Sequence, residues 1–321
     1  VLFDHGNRTI AEVERPVVGA NVYLGIDAIL PALETGAEIV ITGRVADPSL
    51  FLAPLVHHYG WRRDDWALLG RGTIVGHLME CGMQITGGYF ADPGHKDVAR
   101  LADCGYPIAE VTPEGDTTIT KLPASGGQVS VRTVKEQLLY EVHDPAAYLT
   151  PDVTADFSNV RLAEHGADGV HVSGGSGRRR PETLKVTVGF DGGWLGEGGI
   201  SYAGPNAVAR ATLARDSLVE RLGRHKGFAD HLRADIIGVD SLHGTAGVRA
   251  TGEVHDTRVR VAMRSADRDA IETMLWEVES LLCCGPAGGG GYRGQISASV
   301  ITHSTLIARD AVQPTVRVLT A

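Results

Sequence analysis

Runs of positive charge are scarce in this chain. Lys and Arg number 30 against 39 Asp and Glu, the formal charge is −9, and the longest basic run is Arg178, Arg179 and Arg180. A nucleic-acid groove needs clustered cations to displace phosphate counterions, so a nucleic-acid partner is not expected. Also lacking are any stretch near the ~20 consecutive apolar residues that cross a bilayer and any basic-then-apolar leader, which argues against a membrane-spanning protein. Cysteine is sparse: Cys81, Cys104, Cys283 and Cys284 form neither a disulfide framework nor a paired CxxC zinc pattern, and reduced thiols fit a cytoplasmic protein. There is no GxSxG elbow and no GxxxxGK[ST] loop. An initiator Met is absent as well; the chain opens VLFDHGNRTI and reads as a fragment.

What is present is globular, with 43% hydrophobic and 21% charged residues. At 321 residues the chain exceeds the usual size of a single core, so two domains are expected, with a boundary near Gly204: residues 1–204 and 205–321. In the first, Val22, Ile26, Ile29, Leu30 and Leu33 recur at helical spacing, and EIVITG (residues 38–43) has the continuous apolar character of a buried parallel strand. Asp47 then Pro48 reads as a cap and first-turn proline opening another helix. This predicts an α/β class, with a mostly parallel sheet and flanking helices. Residues 73–85 read as a helix, residues 107–122 as two strands joined at Pro-Glu-Gly-Asp, and residues 130–142 as an amphipathic helix. Beyond residue 205 the order helix, strand, strand, helix, strand predicts a smaller α+β, ferredoxin-like portion.

The densest polar cluster is His77, Glu80, Cys81 and Gln84, spaced i, i+3, i+4 and i+7, which on one helix would share a face. His77 and Glu80 are candidate proton carriers, and Cys81 is a candidate nucleophile. The plainer account is a solvated stripe on a helix that buries Ile74, Leu78 and Ile85. No second cluster shows metal-ligand spacing, and no metal or cofactor is evident. Arg44 and Asp47 follow EIVITG, where an α/β sheet would place ligand groups; Arg44 can fork onto a carboxylate or phosphate, while Asp47 serves equally as a cap. Lys121 with Gly126 and Gly127 precedes a helix and could cradle an anion, or simply form a capped loop. Arg293, beside the glycines of CCGPAGGGGYRG, is a further candidate anion contact. Asp240, Ser241 and His243 resemble a hydrolytic triad only superficially. His143, Asp144, Asp152 and Asp156 could bind a metal, although Asp-Pro and Pro-Asp are ordinary turn formers.

The strings GANVYLGIDAILPALETGAEIVITGRVADPSLFLAPLVHHYGW, GTIVGHLMECGMQITGGYFADPGHKDV, GGQVSVRTVKEQLLYEVHDPAAYLTPDVTADFS and IIGVDSLHG resemble the acyclic terpene utilization AtuA family over most of the chain. The resemblance implies bacterial breakdown of terpenes such as citronellol and geraniol, and an N-terminal stretch of about a domain that this chain lacks. It carries over no catalytic residue. Together with the polar cluster it points to an enzyme of acyclic terpene or branched-chain acyl-CoA catabolism, of hydratase, lyase or hydrolase type. Its partner would be a small-molecule substrate such as a coenzyme A thioester, with self-association or a partner supplying the missing segment. The alternatives are a noncatalytic acyl-CoA or partner-binding subunit and a metal-dependent hydrolase.

Overall fold

A computed structural model describes residues 9–225, 228, 232–246 and 254–319. The chain divides into two compact units, neither continuous in sequence. Unit 1 holds residues 21–187 with described flanking residues 9–10 and 304–319, and unit 2 holds residues 11–20 and 188–303.

After β1 (Val17–Val22), unit 1 contains helices α1 (Ile26–Leu33), α2 (Ser49–Tyr59) and α3 (Trp66–Met79), hairpin strands β2 (Pro107–Val111) and β3 (Thr117–Lys121), and helix α4 (Val131–Leu139). Strands β4 (Tyr148–Leu149), β5 (Thr154–Asp156), β6 (Arg161–Glu164), β7 (Val170–Ser173) and β8 (Ser176–Arg178) follow. One sheet runs β2-β3-β7-β6 and another β4-β5-β8. The β2–β3 hairpin pairs Pro107 with Lys121 and Val111 with Thr117 around the expected turn, where Gly115 takes φ +83°. Helix α3 is the centre of this unit: Leu69, Ile74 and Leu78 are buried with Leu52 and Val56 of α2, Val134 of α4, and Val153 and Ala155 near β5. The crossing of α3 and the start of α2 is close. A Cβ on Gly76 would lie 2.4 Å from the Pro48 carbonyl oxygen, so only glycine fits there.

Unit 2 takes most of β9 (Thr183–Ala203), then α5 (Ala207–Gly223), β10 (Leu232–Ile237), β11 (Asp256–Ser265), α6 (Arg268–Cys284) and most of β12 (Gly290–Ala308). The order β-α-β-β-α-β folds into the sheet β1-β9-β11-β10, with β12 also on β9. Alternate residues Val259, Val261 and Met263 of β11 and Ile200 and Tyr202 of β9 are buried with the apolar stripes of α5 (Ala211, Ala214, Leu218) and α6 (Ile271, Met274, Val278).

The expected α/β class with a mostly parallel sheet is overturned. Every strand pair whose register is described is antiparallel. Residues 38–43 form no strand, and Ile39 and Ile41 are 79% and 90% exposed. Among the described residues parallel pairing is confined to isolated bridges, Leu24 with Val45 and Cys104 with Gly126. An apolar run bounded by helices signals a buried parallel strand only when neighbouring strands exist to pair with it, and here α1, α2 and α3 follow one another with no strand between them. Among the described residues no helix is long and apolar enough to cross a membrane.

Candidate functional site

Asp65 caps α3 by accepting from Leu68 N, and the helix ends at Met79 with Glu80 as its C-cap. It stops short of the expected residue 85 because Gly82 adopts φ +55°, a left-handed conformation that an α-helix cannot continue through, and Gly82–Gln84 forms a 3-10 turn. His77 and Glu80 do share a helical face. Cys81 and Gln84 are brought beside Glu80 by the turn.

His77 has no exposed surface. Its ring lies 5.3 Å from Tyr148 and 5.5 Å from Phe157, centroid to centroid. Nε2 is 3.0 Å from the Gln137 carbonyl oxygen and Nδ1 is 3.0 Å from Glu80 Oε1. A carbonyl only accepts, so Nε2 carries a hydrogen. Nδ1 then either donates to a Glu80 carboxylate or accepts from its carboxylic acid. Gln137 returns the contact by donating Nε2–H to the His77 carbonyl at 3.0 Å, which locks α3 to α4.

The outer arm of this arrangement opens on a cavity of about 480 Å³, lined by Glu80, Cys81, Met83, Gln84, Tyr89 and Tyr106. That volume falls within the ~300–1,000 Å³ of small-molecule sites. Glu80 Oε2 and Gln84 Nε2 are both buried and have no hydrogen-bond partner in the protein. A buried polar atom left unpaired costs roughly 1–3 kcal/mol, and both atoms lie behind the cavity wall, closed off from solvent. A larger concavity of about 670 Å³, beside Leu138 and Phe157, has no such unpartnered atoms among its lining residues.

The electrostatics of the site are acidic. Burial pushes the Cys81 thiol up; a hydrogen bond with Gln137 opposes the rise, and the carboxylates of Glu80, Glu141 and Asp47 add to it. The thiolate is therefore disfavoured, contrary to what a cysteine nucleophile needs. Burial likewise raises Tyr148, reinforced by Glu80, Asp47 and Glu141, so its hydroxyl keeps its proton and is a hydrogen-bond donor. Gln137, Glu141 and Tyr148 are absent from the sequence-derived candidates. Gln137 could have been flagged, since it is an amide on the face of α4 that buries Val134 and Leu138; nothing local marks Tyr148.

The other candidates are dispersed. Asp47 does not cap α2 with its side chain: the helix begins at Ser49 with Pro48 as its N-cap. Arg44 stacks over Tyr23 at 4.8 Å and lines a separate concavity with residues 314–319. Lys121 is buried; its Nζ donates to Ser125 O at 3.1 Å and meets Asp168 Oδ2 at 3.1 Å. The amides of Gly126 and Gly127 donate to Asp103 O and Ala99 O, which leaves no open donors for an anion. Arg293 is exposed on β12, in unit 2, and bonds its neighbour's carbonyl at Tyr292. Asp240 is occupied by Arg215 and the Ile236 amide, with no bond to Ser241 or His243 described. Asp144 and Asp156 close local turns on Ala146 N and Ser158 N. Asp152 binds Ile26 N and Ser49 Oγ, and no metal-holding group of three such side chains occurs among the described residues.

A family model described as acyclic terpene utilisation family protein AtuA matches residues 2–318. The chain belongs to this family. As the match begins at residue 2, the expectation of a missing N-terminal stretch gains no support from it. No curated protein and no solved structure matches the chain. Within this AtuA-family member, Glu80, Cys81 and Gln84 all lie on one continuous family-matching segment around the end of α3.

Proposed function

We propose that this AtuA-family protein is an acid–base enzyme of acyclic terpene breakdown, of hydratase or lyase type. In this reading Glu80 exchanges a proton with the substrate, and His77 acts as the positioning residue that holds Oε1 and shares the proton. One observation carries it: a carboxyl group on a residue that lines a cavity, with one oxygen bound to a fully buried imidazole and the other buried without a partner. General acid–base catalysis asks for a carboxyl group held in place beside a cavity in this way. Tyr148 supplies a neutral hydroxyl close to the same acidic group. Hydrolysis through a Cys81 thiolate fits less well, because burial and three carboxylates oppose ionisation. The substrates that suit the family are branched, largely apolar molecules, coenzyme A thioesters included.

A panel of acyl-CoA esters and terpenoid alcohols, incubated with the protein and read by mass, tests this. Glu80→Gln should lower product formation by at least about 100-fold with the far-UV spectrum unchanged, and turnover within about tenfold of the wild type would overturn the proposal. The same pair of proteins addresses a noncatalytic partner-binding subunit, a reading favoured by the exposed Ile39 and Ile41. Such a subunit would show no Glu80-dependent turnover with any member of the panel.

A further inference from the structure

Strand β12 runs along one edge of the unit 2 sheet, with β9 as its only strand partner among the described residues. A terminal strand leaves a row of backbone N–H and C=O groups unpaired, and proteins shield such rows by shortness, by charges or by prolines. The other terminal strands of this sheet, β1 and β10, have six residues each, and β10 carries Arg233 and Asp235. β12 has no such shield. Over 19 residues it holds no Pro, Lys, Asp or Glu and a single fixed charge, Arg293, whereas 21% of the whole chain is charged. Successive side chains of a strand point to opposite faces, yet Ser297 and Ala298 are both exposed, so neither face is covered at that point. On the helix side Tyr292 and Ile296 pack against the core of unit 2, and the cover ends there. Val300 is 56% exposed and Val18 of β1 is 57% exposed. The two meet over Gly189, where a Cβ would lie 3.1 Å from Val300 Cγ1 and 3.4 Å from Val18 Cγ2.

We infer that β12 is a self-association edge: a second copy of this chain pairs its own β12 antiparallel to it, about a two-fold axis at Ala298. The strand is complementary to itself in that register. Ile296 of each copy stands opposite Val300 of the other, an apolar β-branched pair of the kind that stabilises sheets, and Ser297 stands opposite Ser299. Ala298 faces its own counterpart, where a small side chain lets the strands approach. Arg293 lies outside the paired stretch 294–302, and ten residues of strand keep the two Arg293 side chains about 33 Å apart, so no like charges meet. Nine paired residues supply about nine main-chain hydrogen bonds, within the number that a stable protein interface carries. Each copy has one such edge, so the pairing closes at two copies rather than growing into a fibre. A partner of opposite charge has nothing to recognise on a strand with one cation, which leaves self-pairing as the use that its sequence fits.

Sedimentation equilibrium of the full chain tests the inference. The wild type should reach the dimer mass by about 100 µM. Ala298→Lys/Val300→Lys and Ala298→Glu/Val300→Glu change only exposed side chains, so each should keep the wild-type far-UV spectrum while raising the dimer Kd at least about tenfold through like charges set opposite one another. An equimolar mixture of the two variants should associate at least about tenfold more tightly than either alone. A wild type that stays monomeric, a dimer that both variants leave unchanged, or a mixture no tighter than its parents would overturn the assignment. Hydrogen exchange on the wild type gives a reading that needs no variant. Amides between 294 and 302 should exchange more slowly at about 100 µM than at about 1 µM, and rates independent of concentration would equally overturn it.

Discussion

Asp152 offers the sharpest test of how unit 1 is held together. It is 3% exposed, and its two oxygens reach the starts of two helices: Oδ1 accepts from Ile26 N in α1 at 2.8 Å, and Oδ2 accepts from Ser49 Oγ in α2 at 2.5 Å. The fit requires glycine at position 25, where a Cβ would lie 1.9 Å from Oδ1. Gly25→Ala must therefore expel the carboxyl and break both bonds. Breaking the bonds strands buried donors at about 1–3 kcal/mol each, which sets the expected loss at about 3 kcal/mol. Asp152→Ala removes the same bonds and should cost a similar amount. Asp152→Asn keeps an acceptor for Ile26 N and can donate to Ser49 Oγ, so it should cost no more than about 1 kcal/mol. Urea unfolding of the full chain, compared at constant m-value, reads these differences.

The pH dependence supplies an independent check. Burial raises Asp152 above the ordinary 3.8, outweighing the opposing bonds from Ser49 and Ile26. A carboxyl that is raised in the folded state favours folding fully below its unfolded value, and that contribution is lost as pH rises through the folded value. The stability of the wild type relative to Asp152→Asn should thus be greatest below about pH 4 and decline as pH increases. A relative stability that grows with pH, or Gly25→Ala as stable as the wild type, would refute the account.

Other outcomes follow from the same geometry. Glu80→Gln should lower turnover by about 10²–10⁴-fold, the usual contribution of a positioned acid or base, in steady-state assays with the substrate found by mass. His77→Gln should displace the pH–rate profile as well as reduce the rate, because it removes the partner sharing the Glu80 proton; a rate loss at an unmoved profile would leave His77 a purely structural role. Cys81→Ser should retain activity within a few-fold, and iodoacetamide at neutral pH should label the exposed Cys283 and Cys284 before Cys81. Gly127→Ala should destabilise by about 2 kcal/mol or more in urea unfolding, since φ is +79° and a Cβ would meet Thr86 O at 2.4 Å.

Local signals were readable wherever the deciding forces act over a few residues. The hairpin around Gly115 and helices α5 and α6 are set by turn residues, caps and apolar spacing, and they stand close to where those signals place them. Sheet class was not readable, because EIVITG has one composition whether it is buried between strands or left unpaired at a surface. Pairing partners decide that, and they lie far along the chain. Asp47 shows the same limit on a smaller scale. Asp followed by Pro is a proper cap signal, but Pro48 takes the cap position itself and Ser49 turns its hydroxyl to Asp152, a partner 103 residues away.

The candidate site divides along the same line. His77, Glu80, Cys81 and Gln84 stood out because four polar groups in eight positions are hard to explain as core, and three of them do meet at one cavity. What spacing cannot reveal is which atom of each group remains open. That depends on Gln137, sixty residues away, whose carbonyl occupies His77 Nε2 and whose amide returns to the His77 carbonyl. With Nε2 spent there and Nδ1 spent on Glu80, the imidazole has no atom left for a substrate, and the proposed proton transfer falls to the Glu80 carboxyl. Burial first, and the carboxylates of Glu80, Glu141 and Asp47 after it, hold the Cys81 thiol protonated. A nucleophilic cysteine is thus disfavoured, which is why the proposal places acid–base chemistry on Glu80.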